Sequence, residues 1–139
     1  MQTNLIFAPV LVQVALTLWL YIALGIAKAR AAERGEVNEQ RRALHDDAWP
    51  DSVIKINNNI RNQFEVPVLF YVLIGAIWAI GAVNTFVHIA AWAFAISRVV
   101  HMLIHTGSNY VPLRRKVFML GCFVLIGLAL FLAFRLIAT

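Results

Sequence analysis

The chain has 139 residues, 61% of them hydrophobic and 14% charged, with a mean hydropathy of +0.75 and a formal net charge of +5. A water-soluble domain carries about a quarter charged residues, so this composition excludes an ordinary soluble fold and indicates an integral membrane protein. A single cysteine excludes an intrachain disulfide framework, and no basic block is interleaved with aromatics, so the positive charge is not the footprint of a nucleic-acid binder.

Four apolar stretches are long enough to cross a bilayer as helices. The first, about Leu5 to Ala27, is too long for a signal-peptide core and lacks a basic start, so it reads as a retained anchor. From Ala27 to Arg42 the chain is rich in Ala, Glu, Arg and Lys, which predicts that this helix continues beyond the membrane, weakened at Gly35. His45-Asp46-Asp47 has the residue types of a metal-site fragment but reads as a solvated loop. Pro50 with Asp51 or Ser52 predicts a turn and an N-cap. The helix that follows, from about Val53 to Ala82, would be roughly 45 Å long at 1.5 Å per residue. Its apolar part, Val66 to Val83, is the second span. A short turn from Gly81 to Asn84 makes an antiparallel hairpin with the third, Thr85 to Ile104. The fourth runs from Val117 to Phe134 and contains Cys122, read as a small packing residue.

Loop charge sets the expected orientation. The stretch from Lys28 to Arg61 holds seven Lys or Arg, and Arg114, Arg115 and Lys116 follow the third span. The hairpin turn and the amino-terminal stretch hold none. The positive-inside rule therefore places loops 28–63 and 106–116 in the cytoplasm and both termini outside.

The informative residues are the polar ones at membrane boundaries. Asn58, Arg61, Asn62 and Glu65 are spaced i, i+3, i+4, i+7, which puts them on one face of a helix. A charge carried to the bilayer centre costs at least ~2.5–3.5 kcal/mol on insertion scales, so such groups need partners and mark functional sites. Arg98, His101 and His105 form a second stripe on the third span, and Arg114 opens the fourth. Three helices thus bring polar groups to one depth. The histidines read as hydrogen-bonded residues and not as metal ligands, because no carboxylate or Cys shares their face. Structural readings stand beside the functional ones: Glu65 and Arg61 as an i, i+4 pair, the amides as glue between helices, and the basic residues as topology anchors.

Arg61-Asn62-Gln63-Phe64-Glu65, then Arg98-Val99-Val100-His101, then Pro112-Leu113-Arg114, resemble the signatures of the MAPEG family, the membrane-associated proteins of eicosanoid and glutathione metabolism. The likeness extends over nearly the whole chain. It implies one domain over residues 1–139, an all-α four-transmembrane-helix bundle assembled as a homotrimer, with glutathione as cosubstrate between subunits. By position, Arg61, Asn62 and Glu65 would hold glutathione, and Asn58 shares their stripe. Lys55 falls where members often carry Arg. Arg98, His101 and His105 match further pocket positions, and Arg114 matches the arginine beside the thiol. Asn58 stands where many eicosanoid-forming members have Arg. Phe118 and His105 stand where members have Tyr, and Pro67 comes earlier than in the animal enzymes. These departures fit a bacterial-type member of an inner membrane.

The chemistry agrees. Glutathione carries two carboxylates and one ammonium, and the stripes supply cations and an anion. Arginine forks bind carboxylates bidentately, and a fixed guanidinium favours a thiolate. The implied activity is conjugation of glutathione to a small lipophilic electrophile dissolved among the membrane lipids, or reduction of lipid hydroperoxides. A non-catalytic lipid-binding scaffold is the alternative. A transporter ranks last, since no span shows paired Gly/Pro breaks.

Overall fold

The computed structural model describes residues 3–138. After a 3-10 turn at Thr3–Ile6 come five helices: α1 (Phe7–Glu33), α2 (Asp51–Gln63), α3 (Val66–Ala79), α4 (Thr85–Thr106) and α5 (Val111–Ile137). No strand occurs among the described residues. Helices α2 and α3 run nearly on from one another, so the five make four segments long and apolar enough to cross a membrane.

Helix α1 continues past the predicted end of the span at Ala27, as its composition predicts, by about two turns. It ends at Glu33 because Gly35 adopts the left-handed conformation (φ +66°). Gly35 N–H then bonds Ala32 O at 3.0 Å and Glu36 N–H bonds Ala31 O at 3.0 Å, a Schellman closure that only glycine enters without penalty. The same closure at Gly81 (φ +67°) ends α3 and starts the hairpin turn to α4. Asn84 then caps α4, its side chain accepting from Val87 N–H at 3.0 Å.

The long helix predicted from Val53 to Ala82 is also divided. It starts slightly earlier, with Pro50 at the cap position and Asp51 in the first turn. It breaks at Phe64 and Glu65. Pro67, in the first turn of α3, has no N–H for the carbonyl of Gln63, and its ring would press on that carbonyl in a continuous helix. Proline is tolerated where a helix begins, so the chain restarts there.

Helix α4 is the interior element. Half of its apolar window is buried, against 17% for α1 and for α5. The outer helices expose broad apolar faces, as lipid-facing surfaces do. Helices α4 and α5 approach closely at Gly121, where an added Cβ would stand 3.2 Å from Ser97 Oγ. Around the hairpin end lies an apolar core of Phe70, Ile74, Ile77, Ala91, Phe94 and Leu128, with Phe70 and Phe94 stacked at 4.5 Å. A smaller cluster, Leu16, Leu20, Ile60 and Met102, joins α1, α2 and α4 toward the basic end.

Candidate functional site

Three helices converge on a cavity of about 280 Å³, lined by Asn62 of α2, His101 of α4, and Val111, Arg114, Arg115 and Phe118 of α5. The i, i+3 spacing of Arg98 and His101 turns both inward, and both are buried. Phe118 forms a shared wall: its ring lies 5.9 Å from the His101 ring and 5.9 Å from the Arg98 guanidinium.

Arg98 is 1% exposed, the largest fully buried side chain of the fold. A guanidinium has five N–H donors and is costly to bury without partners. Here one amine reaches Asn62 O at 3.4 Å, and Glu65, Tyr71 and Cys122 lie within electrostatic reach. Arg98 Nε and His101 Nδ1 find no hydrogen-bond partner among the described residues. Buried polar atoms are satisfied in the great majority of cases, so two orphans beside one cavity mark a place where a polar ligand or water belongs.

Arg114 is half-buried and donates to Asn109 Oδ1 across the loop that joins α4 to α5. Asn109 takes a left-handed backbone conformation (φ 52°), which asparagine tolerates better than most residues. The loop thereby holds the guanidinium at the cavity mouth.

The remaining predicted residues lie apart. Glu65 is exposed, displaced from the α2 face by the break at Pro67, and makes no ion pair with Arg98. Arg61 is exposed and pairs with Asp46 of the preceding loop, where Asn57 also donates at 3.5 Å. Asn58 is half-buried and its carbonyl accepts from Asn62 Nδ2 at 3.0 Å, which orients the Asn62 amide. Lys55 lines a different cavity, donating to Gly107 O at 3.4 Å. Among the described residues no group of three or more His, Cys, Asp or Glu could hold a metal ion.

His105 stands behind His101, with ring centroids 5.5 Å apart, and belongs to a buried chain that the sequence reading missed. Gln13 donates to Gln63 at 2.5 Å, Gln63 to Asn59 at 3.0 Å, and Asn59 reaches His105 Nδ1 at 3.0 Å. The chain ties α1, α2 and α4 together at the level of the site. Its signal in the sequence was an amide, Gln13, inside the apolar first span, together with Asn59 and Gln63 at i, i+4 beside the recognised stripe.

Four membrane-length helices with a charged cavity toward one end define a multi-pass helical membrane protein. A model of the MAPEG family matches residues 6–134, nearly the whole chain, and the chain belongs to that family. Comparison with curated proteins gives no match, and neither does comparison with solved structures.

Proposed function

We propose that this chain is a membrane glutathione transferase, working as a homotrimer in a bacterial inner membrane with its basic loops in the cytoplasm. The observation that carries the reading is the cavity where Asn62, His101 and Arg114 meet above the buried Arg98, with two polar atoms left unpartnered. Family membership, which includes glutathione transferases among related proteins, supports it.

The residues fit a zwitterionic tripeptide. Arg98 and Arg114 offer forks for carboxylate or thiolate, Asn62 an amide, and Glu65 an acceptor for an ammonium. Arg61 joins this set only if a ligand carboxylate replaces Asp46. Asn58 acts through Asn62, and His105 through the amide chain. Lys55, in its separate cavity, is left out.

In the reaction the glutathione thiol gives up its proton to solvent, and Arg114 stabilises the thiolate. A thiol has pKa ~8.5 and only a few per cent thiolate at neutral pH, so a fixed cation beside it raises the reactive fraction. The sulfur then attacks an electrophilic carbon entering from the lipid. A C–S bond forms, and the leaving group departs with its electron pair. The same thiolate attacking a lipid hydroperoxide would give an alcohol and a sulfenic acid, which a second glutathione converts to disulfide and water.

Calorimetric titration with glutathione should give saturable heat, and a halogenated nitrobenzene should be conjugated. Arg114→Ala is expected to lower the conjugation rate by about 10²–10³, the usual cost of losing one electrostatic stabiliser. A rate equal to the parent's removes Arg114 from thiol activation. The second reading, a non-catalytic lipid-binding scaffold, is favoured by Phe118, which brings no hydroxyl to the cavity wall. A titration without heat would select it.

A further inference from the structure

Helix α4 carries a third histidine that the site described above does not use. His88 stands ten residues before Arg98, about 15 Å along the helix axis and toward the hairpin end. It is 9% exposed, and its Nε2 finds no hydrogen-bond partner among the described residues. An unsatisfied polar group at membrane depth costs several kcal/mol, and an ionisable side chain inside a span marks a site by default.

His88 lines a groove of about 650 Å³ between the start of the first span and α4. Leu5 forms one side. Thr85, His88, Ile89, Trp92 and Ile96 follow one another along the other, at spacings that keep them on one helix face. The two polar members stand at the hairpin end, and the rest of the lining is apolar. Among the described residues no Lys, Arg, Asp or Glu lines the groove.

Depth and charge together select the occupant. Helix α4 has 22 residues, or about 33 Å, close to the ~30 Å of a hydrocarbon core. Thr85 therefore stands at the edge of the core and His88 about 4.5 Å inside it. That is the level at which a glycerophospholipid attaches its chains. From His88 to Ile96 is about 12 Å more, which stays within one leaflet. With no cation in its lining, the groove has nothing to hold a phosphate. Water would satisfy the imidazole and leave the apolar limb unfilled. An ester carbonyl brings an acceptor to His88 and continues directly into an acyl chain.

We infer that this groove seats a glycerophospholipid of the leaflet opposite the basic loops, an ester carbonyl accepting a hydrogen bond from His88 Nε2–H and the attached chain lying along Ile89, Trp92 and Ile96. The ester is the group recognised, and the headgroup is not. His88 is then the tautomer with its hydrogen on Nε2, since an ester oxygen accepts and cannot donate. The site is separate from the one lined by Asn62, His101 and Arg114 and does not depend on glutathione binding.

The test uses the full chain in nanodiscs made from equal parts of diester and diether phosphatidylcholine, released for native mass spectrometry. The two lipids share a headgroup and chain length and differ in their carbonyls. The parent should retain the diester preferentially. His88→Phe keeps a ring and removes the donor, and it should lower the diester-to-diether ratio about fivefold, the equivalent of one net hydrogen bond of about 1 kcal/mol. His45→Phe, in the loop between α1 and α2, should leave the ratio at the parent's value. Phosphatidylglycerol pairs should give the same fivefold difference, and the glutathione heat of His88→Phe should match the parent's.

A parent ratio of one overturns the site whether or not the variant folds. An unchanged ratio in folded His88→Phe overturns it too, and leaves the histidine to a trapped water. A difference confined to phosphatidylglycerol would make the phosphate the ligand and sink the ester reading. A changed number of chains per particle in His88→Phe, with no ester preference in the parent, would give the groove to a second copy. Loss of the glutathione heat in His88→Phe also counts against it, because the two sites would then be one. Absence of that heat in the parent would end the transferase reading alone and leave the lipid result standing.

Discussion

The two ends of the bundle solve opposite problems with the same helices. At the hairpin end α3, α4 and α5 meet through Phe70, Phe94, Ile77 and Leu128, all fully buried, with two rings stacked at 4.5 Å. At the basic end α1, α2 and α4 meet through Gln13, Gln63, Asn59 and His105, joined by directed hydrogen bonds, and the neighbouring Arg98 and His101 keep unpartnered atoms. The first end is packed mainly by dispersion, with His88 Nε2 the buried polar atom left unpartnered near it among the described residues. The second is joined by directed hydrogen bonds, yet Arg98 Nε and His101 Nδ1 by the cavity, and Gln13 Oε1 in the amide chain, stay unpartnered. A fold maintains incompletely paired charge where something else completes it, and that contrast separates scaffold from site.

Substitutions can widen or close this contrast. The largest effect on stability is expected from Phe94→Ala, which empties the stacked core and should cost about 3–5 kcal/mol, read from unfolding in detergent. The surviving folded fraction should titrate glutathione with unchanged affinity, since the ring stands in the apolar cluster. Gln63→Leu should follow, at about 1–3 kcal/mol, because it strands the Gln13 amide and the Asn59 carbonyl. Glutathione binding should weaken as well, because Asn59 and through it His105, which packs on His101, lose their support; an unchanged affinity would detach the amide chain from the site. Gly121→Ala should cost about 1 kcal/mol, as the new methyl presses on Ser97 Oγ. The smallest change in stability should come from Asp46→Asn, within about 0.5 kcal/mol, because its pair with Arg61 is more than half exposed. Its value lies in binding: freeing Arg61 should tighten glutathione, and weaker binding would show that Arg61 serves the loop and not the ligand.

Much of this was legible before any coordinates. The count of four spans follows from runs of apolar residues, because a bilayer demands a length that few other environments do. Arg98, His101 and Arg114 stood out because charge in such runs is expensive, and the fold gathers all three around the cavity region. Gly81 and Asn84 marked the hairpin, and both act there as turn residues. Two local signals carry more than composition suggests. Gly35 in the sequence signals a weakened helix, and in the fold its left-handed conformation ends it. Pro67, in sequence only a departure from the family's spacing, divides one helix into two and moves Glu65 off the α2 stripe.

The sequence by itself determined which segments enter the membrane and which side chains are too costly there to be idle, since both depend on local composition weighed against one solvent. Only the tertiary structure decided which of those side chains meet. Helical spacing sets the face a residue occupies, but not what lies across from that face. Arg61 turned to Asp46, Lys55 to the α1 cavity, and Gln13 reached residues fifty positions away. Those partnerships follow from how the helices pack against one another, a relation between distant segments that no single stretch of the chain contains.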